Sequence, residues 1–360
     1  MPTKSLHLLC VFALNLHASP EQAERIKRSF ELATETWSLK MKIASDPVEQ
    51  AKLTASRPDV SRAAKEIWQS ISPALREEWT IPYAAFFYSL TAKETTLDDQ
   101  GNAKLSFLSE REQILKIYSS THLNNSDLSP FLISLIENGD AKNLSLFDKV
   151  IESNPNKAAK GIAALGAAIM IKNIGDSPEL MKKRLTYLRQ AVIHAADQTV
   201  GSMSIADIVS DELYIVRYLM PGRVAPELKG ADAAGRIVQL SDFRGKALVL
   251  LFWDAASPDT ERIIQFTNKM VSQYAGDKVA VLGITPEPLD RIRSLQGDGS
   301  IKWNNIIDST DKLAKEYRVA VRPLMLILDA SGKIEFLGQP SSFAELSLDS
   351  LIRGKSEKAK

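Results

Sequence analysis

One stretch constrains this chain more than any other: Lys246 to Glu261, KALVLLFWDAASPDTE. From Ala247 to Trp253 it is apolar without interruption, as expected of a strand buried on both faces of a sheet. Ser257 then stands where a helix N-cap belongs, Pro258 at the first helical position, and Asp259 and Glu261 where carboxylates meet the positive end of the helix dipole. Ile263, Phe266, Met270 and Tyr274 follow at helical spacing. Strand, turn and capped helix in that order imply an α/β domain. The turn sits at the carboxyl end of a central strand, where such folds usually place their chemistry.

The rest of the C-terminal part alternates in the same way. Residues 236–240, 278–284 and 301–307 read as strands, and 288–296 and 310–317 as short helices. Residues 324–328 and 334–337 read as a hairpin around Ala330-Ser331-Gly332-Lys333, and 343–352 as a closing helix. Upstream, Pro20 to about Leu219 is helical almost throughout. Helices are expected over 21–43, after Pro58, and over 129–138, 142–153, 156–172 and 178–197. Ser109 and Glu112 have capping-box spacing before another helix, and Leu97 to Lys104 reads as a polar loop. Tyr83 to Thr91 is an apolar, aromatic face suited to core packing or to ligand contact. The small residues from Gly161 to Met170 suit close helix–helix approach. The helical part is thus an all-α domain, either a bundle or a short α-solenoid of tetratricopeptide type.

At 360 residues the chain has room for two domains, each able to bury a core. The Pro-Gly and Ala-Pro breaks from Leu219 to Pro226 mark the junction, giving a helical domain over 19–220 and a second over 221–355. Residues 1–18 read as a secretory signal: Lys4, then a short apolar core from Leu6 to Leu16, then Ala18 before Ser19-Pro20. The alternative for this segment is a buried N-terminal helix. The apolar core is too short to span a bilayer, so no membrane span is expected after cleavage. A formal net charge of +1 argues against nucleic acid as a partner.

Cys10 is the only cysteine, and it lies inside the apolar core of that leader. Cleavage would leave a chain with no thiol and equal numbers of acidic and basic residues.

The segment Phe252-Trp253 through Thr260 resembles the active-site stretch of thioredoxin-fold redoxins, the TlpA-like and AhpC/TSA group. There an apolar strand, Phe-Trp and a few small residues lead into Cys-x-x-Cys. Aligned on Phe252 and Trp253, the two cysteine positions fall on Ser257 and Thr260. Gly222 to Gly245 resembles the family's approach to that strand. Tyr317 to Ile334 resembles the segment carrying its cis-proline, here Pro323. The resemblance implies an α/β thioredoxin-like C-terminal domain, and family members often carry a helical region ahead of it, as here.

Dithiol chemistry needs a thiolate and a second, resolving thiol, and serine and threonine supply neither. Ser257 would be a hydrolytic nucleophile only with an activating base, and the histidines after the leader, His122 and His194, lie in the helical part. A helix cap worth about 1 kcal/mol accounts for Ser257 fully. No cofactor is implied, and neither His nor Cys clusters to hold a metal. What the resemblance leaves is the family's binding groove, carried over onto Trp253, Ser257, Thr260, Arg322 and Pro323, with an extended peptide or protein as partner. Arg322 adds a charge that would favour an acidic peptide. The expected protein is therefore an exported binding or scaffolding module of the periplasm or cell envelope, without dithiol activity. Its alternative is a redoxin-type oxidoreductase, for thiol-disulfide or peroxide chemistry, working through partner-supplied or non-cysteine groups.

Overall fold

The computed structural model describes residues 18–98, 100–257, 259–274, 276 and 278–357. Apart from Ala18, the leader read over residues 1–18 falls outside them, and so do Cys10 and Pro258. The chain divides at Val209/Ser210 into two compact units.

The N-terminal unit is helical: α1 Pro20–Ile43, α2 Pro47–Ala55, α3 Val60–Ile71 and α4 Ile81–Thr91, then a hairpin of β1 Thr95–Leu97 and β2 Ala103–Leu105. It continues through α5 Leu108–Thr121, α6 Ser129–Asn138, α7 Leu144–Ser153, α8 Lys157–Ile174 and α9 Pro178–Ala195. A short pair of strands, β3 Thr199–Val200 and β4 Met203–Ser204, leads into α10, Ile205–Tyr214. α8 packs against α6, α7 and α9 together, and α4 against α3 and α6. These partners lie one or two helices away along the chain, as in helical pairs stacked on their neighbours, and the domain is all-α as expected. Glycines let α8 sit this deep. A Cβ on Gly161 would lie 2.4 Å from Ala195 Cβ, and one on Gly166 2.5 Å from Phe147 Cζ. Tyr83 to Thr91 is core: Phe87 and Tyr88 are enclosed, and Tyr88 meets Phe131 edge-on at 5.3 Å.

Two local expectations are corrected here. The loop expected over Leu97–Lys104 is part of the β1–β2 hairpin, turned by Asp98, whose carboxylate accepts the Gln100 and Asn102 amides at 2.9 and 2.8 Å. The capping box of Ser109 and Glu112 does not form. α5 begins one residue before Ser109, its N-cap is Phe107 in the left-handed region at φ 59°, and Ser109 bonds Glu110 instead.

The C-terminal unit begins within α10, earlier than the Pro-Gly break. Tyr214, Ile215 and Leu219, the last two on a π-helical turn, pack into its core, so the residues ahead of the break already belong to it. Its elements are β5 Lys229–Ala231, β6 Ile237–Gln239, β7 Ala247–Phe252, α11 Thr260–Tyr274, β8 Val279–Thr285 and α12 Leu289–Gly297. β9 Asn304–Ile307, α13 Lys312–Glu316, β10 Leu324–Leu328, β11 Ile334–Gly338 and α14 Ser342–Glu357 follow. The main sheet runs in the order β11-β10-β7-β8-β9. β7, β8 and β9 are parallel, and β10 is antiparallel to both β7 and β11. This is the thioredoxin arrangement. Every residue of β7 is buried because its two faces feed two cores: Leu248, Leu250 and Phe252 on one side, and Ala247, Val249 and Leu251 on the other.

Candidate functional site

Strand register brings the two halves of the candidate site together. Leu324, the first residue of β10, pairs with Phe252, the last of β7. The residues just before Leu324 therefore stand beside those just after Phe252. The Arg322–Pro323 peptide is cis, as the resemblance implied. Pro323 is buried against the turn end of the sheet while Val321 is 68% exposed. Val321 and Arg322 make no backbone hydrogen bond to another described residue.

Trp253 does not line a surface, which corrects its place in the expected groove. It continues the inward alternation of β7 and is fully enclosed, with its amide on the Ile284 carbonyl at 3.0 Å. Its indole N–H donates to Asn305 Oδ1 at 2.9 Å, and Trp303 donates to the same oxygen at 3.2 Å. The two indoles meet at 5.9 Å, edge to face. Gly283 on β8 leaves the room for them, since a Cβ there would lie 2.0 Å from Asn305 Oδ1. A buried indole needs a partner for its N–H, and one amide oxygen serves two.

The turn itself is held by carboxylates. Asp254 Oδ1 accepts the amides of Ala256 and Ser257, each at 3.1 Å, and Glu287 Oε1 accepts that of Ala255 at 2.8 Å. Glu287 is almost buried and its second oxygen pairs with Arg291 at 3.1 Å. Ser257 Oγ accepts the Asp259 amide at 3.3 Å, so the serine does serve the start of the helix, although α11 begins only at Thr260. The Thr260 hydroxyl donates back to the Ser257 carbonyl at 2.6 Å, with the Asp254 carbonyl at 3.1 Å. Both hydroxyls at the redox positions are thus engaged in closing the turn. No base activates either one among the described contacts.

Arg322 is placed beside Pro323 as expected, but its charge is not free. Its Nη2 is bonded to Asp311, a residue in the left-handed region at φ 56° that opens α13. Its side chain is 17% exposed, and the Nε is buried without a partner among the described residues. The preference for acidic peptides expected from Arg322 therefore loses its basis, since a neighbouring carboxylate already balances the guanidinium. Sequence reasoning missed Glu287, Asp311 and Asn305. Each acts on a residue of the site from another segment, and no local motif announces such a pairing.

Residues 221–337 match the model of the AhpC/TSA family. The thiol-disulfide oxidoreductase ResA of Bacillus thuringiensis subsp. konkukian is 25% identical over 114 residues, 31% of this chain and 66% of that protein. The ResA of Geobacillus thermodenitrificans is 27% identical over 115 residues, 32% of this chain and 66% of that protein. The chain thus spans just under two thirds of the length of these relatives. Among solved structures, the thioredoxin domain of a thiol-disulfide oxidoreductase from Bacteroides vulgatus is 22% identical, covering 38% of this chain and 96% of that one with a TM-score of 0.32. A thiol:disulfide interchange protein from Bacteroides sp. is also 22% identical, covering 37% and 90% with a TM-score of 0.33.

Proposed function

We propose that this protein, whose residues 221–337 match the AhpC/TSA family model and form a thioredoxin-like sheet, grips an extended peptide where its relatives would reduce a disulfide. The observation that carries the reading is the pairing of two features at one place. The Cys-x-x-Cys positions hold Ser257 and Thr260, whose hydroxyls are engaged within the turn. Beside them, the backbone of Val321 and Arg322 is left without a backbone partner next to an exposed valine. Unpaired backbone offers N–H and C=O groups to a strand from a partner, and the exposed Val321 side chain adds apolar contact. Electron transfer has no carrier at this turn, because a mixed disulfide needs sulfur on both sides.

The test is a pull-down from envelope extract with wild type, Val321→Asp, Arg322→Ala and Pro323→Ala, run beside an insulin-disulfide reduction assay and a peroxide-consumption assay. Partners recovered by wild type are expected to be lost from the variants, with no insulin reduction and no peroxide consumption by any of them. Equal recovery throughout would remove the groove from the function. Turnover of either substrate by the purified protein would restore the oxidoreductase reading.

Export is part of the proposal and rests on Lys4 and the apolar run from Leu6 to Leu16. N-terminal sequencing of the protein from the periplasmic or envelope fraction is expected to begin at Ser19. No described helix is long and apolar enough to cross a membrane.

A further inference from the structure

We propose that the helical unit binds a free fatty acid in a slot beside α1, independently of the redoxin turn. α1 is under-packed for its length. It has 24 residues, and Ala23 alone among them is buried. Leu32, Leu39 and Ile43 are 63%, 61% and 73% exposed. A cavity of about 650 Å³ lies between α1 and the α2–α3 segment, walled by Ile26, Phe30, Ala33 and Trp37 on one side and Leu53 and Ala63 on the other. A second cavity of about 300 Å³ shares Phe30, Trp37 and Pro58 with it and adds Thr34, Arg57 and Lys93. These volumes fall in the range of small-molecule sites, roughly 300–1,000 Å³. The wall from Ile26 to Lys40 runs ~21 Å along one helix, which makes an elongated ligand the natural occupant.

The charges at the slot decide its headgroup. Its lining carries four cations, Lys40, Arg57, Arg62 and Lys93, against three carboxylates, Asp59, Glu66 and Glu94, of which Glu66 pairs with Arg62 at 3.4 Å and Asp59 accepts the Arg62 amide at 2.9 Å. Lys40, Arg57 and Lys93 have no carboxylate partner among the described residues, and Arg57 lies over the Trp37 ring at 5.8 Å. An apolar slot bordered by cations without a carboxylate partner fits an anionic headgroup on an aliphatic chain. A carboxylate can accept from Arg57 or Lys40 while its tail covers Phe30 and Trp37. A slot between one pair of helix walls suits a single chain, which favours a free fatty acid over a two-chain lipid.

The experiment is titration calorimetry of the purified protein with sodium laurate and with dodecyltrimethylammonium, both below their micelle-forming concentrations. Phosphatidylglycerol vesicles form a third arm. Laurate is expected to bind at one site at least tenfold more tightly than the cationic amphiphile. Ala33→Phe fills the slot from an exposed position and is expected to abolish binding with the melting temperature kept. Lys40→Glu combined with Arg57→Glu is expected to weaken laurate at least fivefold. Absence of laurate binding, equal affinity for the two amphiphiles, or indifference to either variant overturns the proposal. So does binding to vesicles without binding to laurate. None of these readouts depends on peptide capture at Val321, so the two proposals fail separately.

Discussion

The Asp254 carboxylate accepts the amide of the first redox position and that of the residue before it, and this changes what a thiol restored there would be. In a reactive turn, amide dipoles and the positive helix end hold a thiolate below the ordinary thiol pKa of about 8.5. Here the amides of Ala256 and Ser257 already face an anion at 3.1 Å, and that anion would also repel a thiolate on residue 257. The double variant Ser257→Cys with Thr260→Cys is therefore expected to regain a dithiol without an acidic nucleophile. The pH dependence of its iodoacetamide alkylation should give a midpoint at or above about 8.5. Adding Asp254→Asn should move that midpoint down. A strongly depressed midpoint in the double variant alone would mean that Asp254 does not govern the turn.

Among the elements, β8 carries the most demanding position. Its Gly283 faces the oxygen shared by Trp253 and Trp303, and a methyl group there would lie 2.7 Å from Trp303 Nε1 as well as against Asn305. Gly283→Ala must displace Asn305, costing a buried acceptor for two indoles and straining the core. The expected loss is about 2–4 kcal/mol, read as a shift in urea midpoint with the slope unchanged. The same elements mark what was legible from residue order. β10 matched its expected span of 324–328 and α6 its span of 129–138, because both carry dense apolar patterns bounded by clear breakers. The β1–β2 hairpin was hidden because the residues of both strands are exposed, so no alternation between faces records it. Asp311 on Arg322 and Glu287 on Ala255 were hidden for another reason. Their partners are 11 and 32 residues away, and only the folded sheet brings them together. The redox positions themselves could be read by alignment alone, whereas the burial of Trp253 required knowing that the inward alternation continues past the end of β7.

Acid should act unevenly on the whole molecule. In the C-terminal unit, burial alone would raise the Asp232 carboxyl, but hydrogen bonds from Asn304, Arg236 and the Ala234 amide outweigh it and hold it below its usual value. Burial likewise opposes, and bonds from Ser331 and the Lys333 amide prevail, at Asp329 in the β10–β11 turn. Asp232 is 2% exposed and ties the β5–β6 turn to β9 through Asn304, at 3.1 Å. In the N-terminal unit, the carboxyls held low are Glu21, chiefly through Ser19, and Asp98, chiefly through Asn102, and both sit at the solvent-facing ends of their elements. A carboxyl lowered on folding contributes stability that is full above its unfolded pKa, about 3.9 for Asp, and is lost as pH falls through the folded value. Asp232, the buried one among these carboxylates, puts that loss in the C-terminal unit. Hydrogen exchange followed from neutral pH to below about pH 4 should therefore show residues 210–357 losing protection before residues 20–209. Asp232→Asn should lower protection of the C-terminal unit at neutral pH and flatten its acid dependence. If the two units lose protection together, or the variant leaves the acid limb unchanged, Asp232 is not the group through which acid acts.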